Sequence, residues 1–344
     1  MSLSQEVKDF VLSRGAIAAG IANLNSLKAG PPSVYLNYKL PGAKSAISFA
    51  LPFNKDYIRA FLSKQDRLPH EQDNLQTNIR STELSWQLAE FIQKAGFEAR
   101  GISSNLKYRK EVPGWEIAMH PDISHRYIAV ASGVGSFGWS GNVGIKGLGT
   151  AIILGTCLTK AELDPDEPVP EDKKFCDLCK LCVSACAVEM FEKDKEVSVI
   201  LGGRTFSHSA RKSNLLCQFC CGGFTGLAKS GKWSTWSPGR FSIPEKSDDL
   251  LKELLRAISL YNKRPAMPGG YTHPAFGGIR QYMTCGNCQI VCWGNKKETA
   301  KNMKLLHNSG CVFQKPDGSL YALPAEEASI TFEEMDSSHR GLYC

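Results

Sequence analysis

The sequence predicts a mixed protein of helices and strands, in the α/β or α+β class, whose second half is rich in cysteine. Helical and strand-like patterns alternate over roughly the first 160 residues, as expected for a mixed architecture. Most of the thirteen cysteines lie between residues 176 and 292. At roughly 100–200 residues per domain, the 344 residues favour two packed units.

The first elements follow from hydrophobic spacing. Val7, Phe10 and Val11 form one face of a helix that Gly15 ends, and 17–22 is strand-like. The segment LPGAKSAISFALPF at 40–53 predicts a turn into a buried strand that ends at Pro52.

A further helix and two strands complete the first unit. The helix is predicted to be capped by Ser81 or Thr82 and ended by Gly96. Its apolar positions recur at helical spacing: Leu84, Leu88, Phe91, Ile92 and Ala95. Residues 97–102 and 151–154 are the remaining strand candidates.

A glycine-rich stretch, GVGSFGWSGNVG, occupies residues 133–144 between these elements. Glycine lets the backbone approach a flat ligand closely, so this stretch is a candidate binding segment. A plain loop between strands is the alternative.

Composition shifts predict the domain boundaries. An acidic, proline-bearing linker at 163–172 separates a core at 1–162 from a cysteine-rich domain at 173–300. Residues 222–284 are an expected insertion without a core of its own, with one amphipathic helix at 250–261. Residues 301–344 form a C-terminal extension.

The formal charge of +7 suggests nucleic-acid binding only at first sight. Metal-bound cysteines are thiolates, so eight of them around two clusters would remove about four units of charge. The apolar runs are too short for a membrane span, and the chain opens MSLSQEVKDF without a charged-then-apolar leader. We therefore expect a cytosolic protein with reduced thiols and no membrane partner.

The cysteine spacing predicts two cubane clusters of the 4Fe-4S type. Cys176, Cys179, Cys182 and Cys186 have the C-x2-C-x2-C-x3-C spacing of a bacterial ferredoxin, whose fourth cysteine binds the other cluster. The partial copy Cys285, Cys288 and Cys292 lacks one ligand. If the ligands cross over, so that each motif contributes one cysteine to the other motif's cluster, the first cluster is bound by Cys176, Cys179, Cys182 and Cys292. The second cluster is then bound by Cys186, Cys285, Cys288 and one more cysteine.

The missing eighth ligand is expected among Cys217, Cys220 and Cys221. Two zinc sites are the alternative to clusters, although zinc sites usually pair well-separated C-x2-C knuckles. Ferredoxin runs place proline after the last cysteine, whereas Ala187 and Trp293 occupy those places here.

With these motifs in view, the chain resembles the family of epoxyqueuosine reductases and reductive dehalogenases. The resemblance covers about residues 7–297. It is carried by LPGAKSAISFALPF, HRYIAVASGVGSFGWSGN at 125–142, GTAIILGTCLTKAELDPDEP at 149–168, FCDLCKLCVSAC and CGNCQIVCWGN.

The resemblance implies a nitroreductase-like core that binds a corrinoid (cobalamin), followed by a ferredoxin-like domain with two 4Fe-4S clusters. Cys217 lies nearest the family's lone ligand between the motifs. The matching glycine-rich segment would then bind the corrinoid, through Gly135, Phe137, Gly138, Trp139, Ser140 and Gly141. No Asp-x-His-x-x-Gly motif is present, which agrees with a corrinoid bound without a histidine ligand.

The proton donor does not carry over directly. Epoxyqueuosine reductases place an aspartate where an ungapped match puts Met119, so Asp122 is a candidate in a shifted register. Reductive dehalogenases use a tyrosine, for which Tyr127, Tyr271 and Tyr282 are candidates. We name Asp122 and Tyr127 as the catalytic candidates.

The function implied is a cobalamin-dependent oxidoreductase in which clusters relay electrons to cobalt for epoxide deoxygenation or dehalogenation. Its substrate would be a small molecule or a modified tRNA, and its electron donor a ferredoxin or flavodoxin. The alternative is an electron-transfer or corrinoid-activating protein without its own substrate.

Overall fold

The computed structural model describes residues 2–104, 107–113, 115, 120–244, 247–272 and 280–344. The α-helices of this part are Leu3–Leu12, Lys55–Leu62, Leu68–Lys94, His125–Ala131, Leu181–Ser184, Asn214–Cys221, Ser247–Tyr261, Asn287–Ile290, Lys296–His307, Ala325–Glu334 and Ser337–Arg340. The strands are Ala18–Asn23, Ser45–Pro52, Ala99–Ile102, Ser136–Phe137, Val143–Gly144, Ile152–Thr159, Phe191–Leu201, Arg204–Arg211, Tyr271–Thr272, Arg280–Gln281, Cys311–Gln314 and Leu320–Leu323. None of the described helices is long and apolar enough to cross a membrane.

A four-stranded sheet organises the first unit. Its order is Ala18–Asn23, Ser45–Pro52, Ile152–Thr159 and Ala99–Ile102, and every neighbouring pair is antiparallel. Helices and strands are thus mixed as predicted, and the antiparallel pairing fits the α+β alternative.

Strand Ser45–Pro52 sets the two faces of this sheet, because side chains alternate along a strand. Its larger residues pack with Leu84 and Leu88 of the long helix Leu68–Lys94 and with Val7 and Val11 of the first helix. Its small residues face helix His125–Ala131. The larger set is Ile47, Phe49 and Leu51, and the small set is Ala46, Ser48 and Ala50. The sheet is therefore covered by helices on both faces.

Small residues allow the second helix to lie close to the sheet. A Cβ added at Gly20, on the neighbouring strand, would overlap the carbonyl oxygen of Ser132 at the end of that helix. This close packing fixes the position of helix His125–Ala131 and therefore that of the side chains on its outer surface.

The predicted first helix and the predicted strands are confirmed, with shifts of a few residues at their ends. The expectation that the long helix begins near Ser81 or Thr82 is wrong, since it begins at Leu68. Its first half has the polar sequence HEQDNLQTNIRS, in which hydrophobic residues do not recur at helical spacing. This part of the helix was therefore not predicted. Pro69 in its first turn is compatible with a helix start.

The predicted linker at 163–172 packs against the first unit rather than spanning open space. Asp166 accepts the backbone N–H of Ile21 at 2.9 Å and pairs with Lys8 at 2.9 Å. Asp164 accepts the hydroxyl of Ser4 at 3.0 Å. Asp164 and Asp166 are therefore hydrogen-bond partners of the first helix and strand.

A hairpin that the sequence analysis did not predict connects the cysteine-rich half back to the first unit. It pairs Phe191–Leu201 with Arg204–Arg211 through a Gly202–Gly203 turn in the left-handed region. At the tip, Leu201 is buried against Leu27 and Val34. We call residues 191–211 the bridging hairpin.

The two predicted units also share a core, because Phe61 and Ile153 pack with Cys182 and Val291. The predicted insertion contains its expected amphipathic helix, found at Ser247–Tyr261. Part of the insertion docks onto the long helix through buried Glu71, which pairs with Arg67 and accepts the N–H groups of Gly270 and Met283, both at 2.7 Å.

This docking yields a stability prediction. Glu71→Gln should lower the free energy of unfolding in urea by about 3 kcal/mol, because it leaves the buried Arg67 guanidinium without its counter-charge. Glu83→Gln, at an exposed position of the same helix, is the control and should stay within about 0.5 kcal/mol. Equal stability of the two variants would contradict the docking role of Glu71.

Candidate functional site

The first cysteine motif forms a tight loop followed by the short helix Leu181–Ser184. Leu178 and Lys180, on either side of Cys179, both have φ near 56°, a left-handed conformation that is uncommon outside glycine. These two residues fold the loop back on itself and keep its cysteines close together.

Cys292 of the second motif joins that loop. A small cavity is lined by all four cysteines that crossing over assigned to the first cluster, Cys176, Cys179, Cys182 and Cys292. The approach is possible because helices Leu181–Ser184 and Asn287–Ile290 contact each other. The donor set is four thiols around one space, which suits a cubane cluster.

Burial favours the protonated form of two of these thiols without metal. It raises the pKa of Cys182 to about 12 and that of Cys179 to about 11. Binding iron would therefore release protons from this site, as metal binding to thiols generally does.

The end of the glycine-rich stretch and the residues that follow it contact the backbone of the second cysteine motif. A Cβ added at Gly149 would overlap the backbone of Cys292. The N–H of Thr150 donates to the Cys292 carbonyl at 3.0 Å, and the Asn142 amide donates to the Cys288 carbonyl at 3.3 Å. The first unit thus fixes the backbone of the second cysteine motif.

A second group of cysteines surrounds Cys285. Burial raises the pKa of Cys288, and the nearby thiols Cys217, Cys285 and Cys186 raise it further. These four are the thiols predicted for the second cluster, and Cys220 and Cys221 lie beside them.

Sulfur contacts distinguish the three candidates for the eighth ligand. Cys220 Sγ lies 3.8 Å from Cys285 Sγ, and Cys221 also hydrogen-bonds to Cys285. Two thiolates bound to different irons of one cube are separated by the cube, so touching sulfurs do not suit that role. Cys217 touches Cys221 at 3.6 Å instead, which favours Cys217 as the ligand.

Hydrogen bonds prepare Cys285 to act as a thiolate. The thiols of Cys220 and Cys221 donate to it, as do the backbone N–H groups of Asn287 and Gly286. Together they hold the pKa of Cys285 well below its usual range although burial opposes them.

The zinc alternative gains no support from this geometry. A zinc site needs three or four side chains that converge on one ion. Within the described ranges, no group of three or more His, Cys, Asp or Glu side chains is arranged to hold a metal ion in this way.

A cavity of about 680 Å³ lies beside the second cysteine group, where the first unit, the bridging hairpin and helix Asn214–Cys221 meet. We call it the central cavity. Its polar lining comprises Ser33, His120, Ser124, Arg126, Tyr127, Ser198, His208, Ser209, Arg211, Asn214, Cys217 and Gln218. Its volume falls within the usual range of small-molecule sites, roughly 300–1,000 Å³.

The two catalytic candidates lie in different places. Tyr127 lines the central cavity, together with the predicted ligand Cys217. Asp122 is buried, pairs with Lys39 at 2.7 Å and lines a different cavity, formed with Trp86 and Arg100. Met119 lies outside the described residues, whereas Tyr271 and Tyr282 are described but do not line the central cavity.

The glycine-rich segment occupies a layer behind the cavity wall. A Cβ added at Gly135, Gly138 or Gly144 would meet protein atoms, so these glycines serve close packing of the chain rather than an open path for a ligand. Phe137 is buried edge-on against Tyr127 and His208, with ring centroids 6.0 and 5.2 Å away. Close packing of the chain thus accounts for these glycines in the structure, and a binding role for the segment stays a prediction.

The other residues of that segment also act through neighbours. Gly141 leaves room for His208, because a Cβ added at Gly141 would lie 2.9 Å from His208 Nδ1. The carbonyl of Gly141 accepts a hydrogen bond from Arg126 at 2.7 Å. Trp139 packs beside the first cysteine loop, with Lys180 Nζ 4.4 Å from its ring centroid. The Ser140 side chain hydrogen-bonds to Cys182. Whether any of them contacts a cofactor stays a prediction.

Sequence reasoning missed most of the cavity wall, including Arg126, His208 and Arg211. The alternation of EVSVIL and RTFSHS around Gly202–Gly203 was a hairpin signal. It would have placed His208 on a strand, but not against the central cavity.

The ligand assignment can be tested by mutation. Cys217→Ala should remove one cluster and lower bound iron by about half, because one cube loses a thiolate. Cys221→Ala is the matched control on the same helix and should leave both clusters in place. Iron content and EPR of the reduced proteins decide. Loss of a cluster in Cys221→Ala with both retained in Cys217→Ala would reverse the assignment.

The chain matches no protein-family model and no curated protein sequence. Solved structures similar to it include a catabolic reductive dehalogenase, at 15% identity and TM-score 0.45, aligned over 59% of this chain and 27% of the other. An epoxyqueuosine reductase bound to a tRNA stem loop has 16% identity and TM-score 0.44, with coverage of 99% and 78%. The epoxyqueuosine reductase from Bacillus subtilis has 14% identity and TM-score 0.43, with coverage of 99% and 88%. The chain thus spans about a quarter of the dehalogenase and most of each epoxyqueuosine reductase.

Proposed function

We propose that this protein is a reductase that carries two 4Fe-4S clusters and uses a corrinoid bound in the central cavity. One observation carries the proposal: Cys217, a member of the second cysteine group, also lines the central cavity. A cluster at these thiols would lie next to whatever the cavity binds, so electrons would have a short path to it.

The two clusters would act in series. The loop of the first cysteine group lies at the surface, where Leu178 is 59% exposed. We infer that a ferredoxin or flavodoxin docks near this loop. Electrons would then pass from the first cluster to the second and on to the cavity.

The central cavity suits a large polar ligand. It opens to solvent, which accommodates a ligand that extends beyond its walls, and its residues come from the first unit, the bridging hairpin and helix Asn214–Cys221. When bound, a corrinoid supplies a strongly reducing cobalt for the cleavage of an epoxide or a carbon–halogen bond. The chain would hold it through Tyr127, His208 and the residues around Cys217.

Tyr127 is the proton donor that the geometry favours. Its side chain lines the cavity and is positioned by the buried ring of Phe137. Asp122 has Lys39 as its partner and belongs to another cavity, which leaves it without access to a ligand at the second cysteine group.

Two substrate classes are compatible with this reaction. Reductive dehalogenases act on small halogenated molecules, and one similar structure contains 3-bromo-4-hydroxybenzoic acid. Another contains an epoxyqueuosine-modified tRNA stem loop. We propose reductive cleavage by this chain without choosing between the two classes.

The cluster content is the first test. Protein purified without oxygen should contain about eight irons and eight sulfides per chain, since two cubanes hold four of each. Inductively coupled plasma spectrometry and EPR provide the counts. Zinc in place of iron, or about four irons, would contradict the two-cluster proposal.

Corrinoid binding is the second test. Cluster-loaded protein mixed with hydroxocobalamin should retain about one cobalt per chain after desalting. Ser33→Trp should abolish retention, because it fills a position that lines the cavity, while Trp86→Phe in the other cavity should not. If the wild type retains no cobalt, the alternative of an electron-transfer protein without its own substrate takes the place of this proposal.

A further inference from the structure

Two arginines line the central cavity without an acidic partner among the described residues. Arg126 and Arg211 both contribute to its wall, and the described lining contains no Asp or Glu. Arg126 donates to the carbonyl of Gly141 at 2.7 Å. Arg211 has a long contact of 3.5 Å with the carbonyl of Ser140, and its Nε is buried without a hydrogen-bond partner.

Arg211 is close enough to Arg126 to disfavour the charge of Arg126. Burial, followed by the neighbouring charge of Arg211, lowers the pKa of Arg126 to about 10. Arg126 therefore remains charged at neutral pH, in a partly desolvated place. A buried charge without a counter-charge is costly, so such a pair calls for an anion.

The anionic groups nearest to this pair do not complete the site. Cys217 and Cys288, which would be thiolates with metal bound, lie within electrostatic reach of Arg211. Glu196 acts on His208 from the bridging hairpin, but its own side chain is exposed. Neither group supplies a counter-charge for Arg126 or a hydrogen-bond acceptor for the buried Nε of Arg211.

The rest of the wall offers neutral groups that can hydrogen-bond to oxygen atoms. Hydroxyls come from Ser33, Ser124 and Tyr127. Burial lowers the pKa of His208, which favours its neutral form, and its Nδ1 donates to the carbonyl of Ser209 at 3.0 Å. Positive charge and neutral donors around one space are typical of sites for carboxylate or phosphate groups.

We propose that Arg126 and Arg211 bind an oxyanion, a carboxylate or phosphate group of the molecule that occupies the central cavity. This deepens the proposed function by naming the chemistry of the ligand. The oxyanion has two sources, a free anionic substrate or the phosphate in the nucleotide tail of a corrinoid, and the experiment separates them.

The substrate source is tested by calorimetry on full-length, cluster-loaded protein with benzoate and inorganic phosphate as probes. At least one of the two anions should bind. Arg211→Gln and Arg126→Gln should each lower the affinity for that anion about tenfold or more, because a charge-assisted hydrogen bond is lost. Benzamide, which has the shape of benzoate without its charge, should bind all variants alike. Arg204→Gln is the control, since Arg204 lies on the same strand, is exposed and pairs with Glu167.

The tail source is tested by cobalt retention with hydroxocobalamin and with cobinamide, which lacks the phosphate-bearing tail. If the tail supplies the oxyanion, the two cavity variants should retain less hydroxocobalamin, with cobinamide retention unchanged. A wild type that retains neither corrinoid contradicts the proposed function, and the benzoate and phosphate titrations then decide the oxyanion site by themselves.

The proposal is overturned if neither the small anions nor hydroxocobalamin distinguishes the cavity variants from Arg204→Gln. It is also overturned if Arg211→Gln changes only the midpoint potential of a cluster, because Arg211 would then serve the cysteine thiolates alone. Iron content and thermal midpoint check that each variant folds. If Arg211→Gln loses iron, Arg126→Gln gives the result, since Arg126 contacts Gly141 rather than the cysteines.

Discussion

The approach of Cys292 to the loop that holds Cys176, Cys179 and Cys182 is the constraint on which much of this structure depends. Four thiols can surround one cluster only if two motifs about a hundred residues apart meet with their backbones fixed. The first unit provides that fixation, because Gly149 and Thr150 pack and hydrogen-bond directly against Cys292.

The two halves are not independent bodies. Residues of the first unit share a core with both cysteine motifs, and the bridging hairpin returns from the cysteine-rich half to bury Leu201 against the first unit. The central cavity forms where these connections meet. A ligand there would contact both halves, and the thiol of Cys217 would lie at its edge.

Charge around the cavity follows from this arrangement. Helix His125–Ala131 brings Arg126, and the end of the bridging hairpin brings Arg211, so that two cations from distant parts of the chain face one space. Each alone would be an ordinary half-buried arginine. Their pairing gives the cavity a preference for anions, next to thiols that would carry negative charge when metal is bound.

Sequence alone determined the elements whose signals are local. The spacing of Cys176 to Cys186 predicted a tight loop with its cysteines close together, because that geometry depends on a few consecutive residues. Hydrophobic periodicity likewise found strand Ser45–Pro52, whose alternating sides are both buried. By contrast, the polar first half of helix Leu68–Lys94 gave no such signal, and its start was missed.

Only the tertiary structure decided which distant groups meet. Asp122 and Tyr127 are five residues apart in sequence, yet Lys39 engages one while the other lines the central cavity. The glycines of 133–144 were expected to make room for a ligand, whereas the space beside them is filled by other parts of the chain. The physical reason is that burial and pairing depend on contacts between elements remote in sequence, and local patterns carry no record of which elements those are.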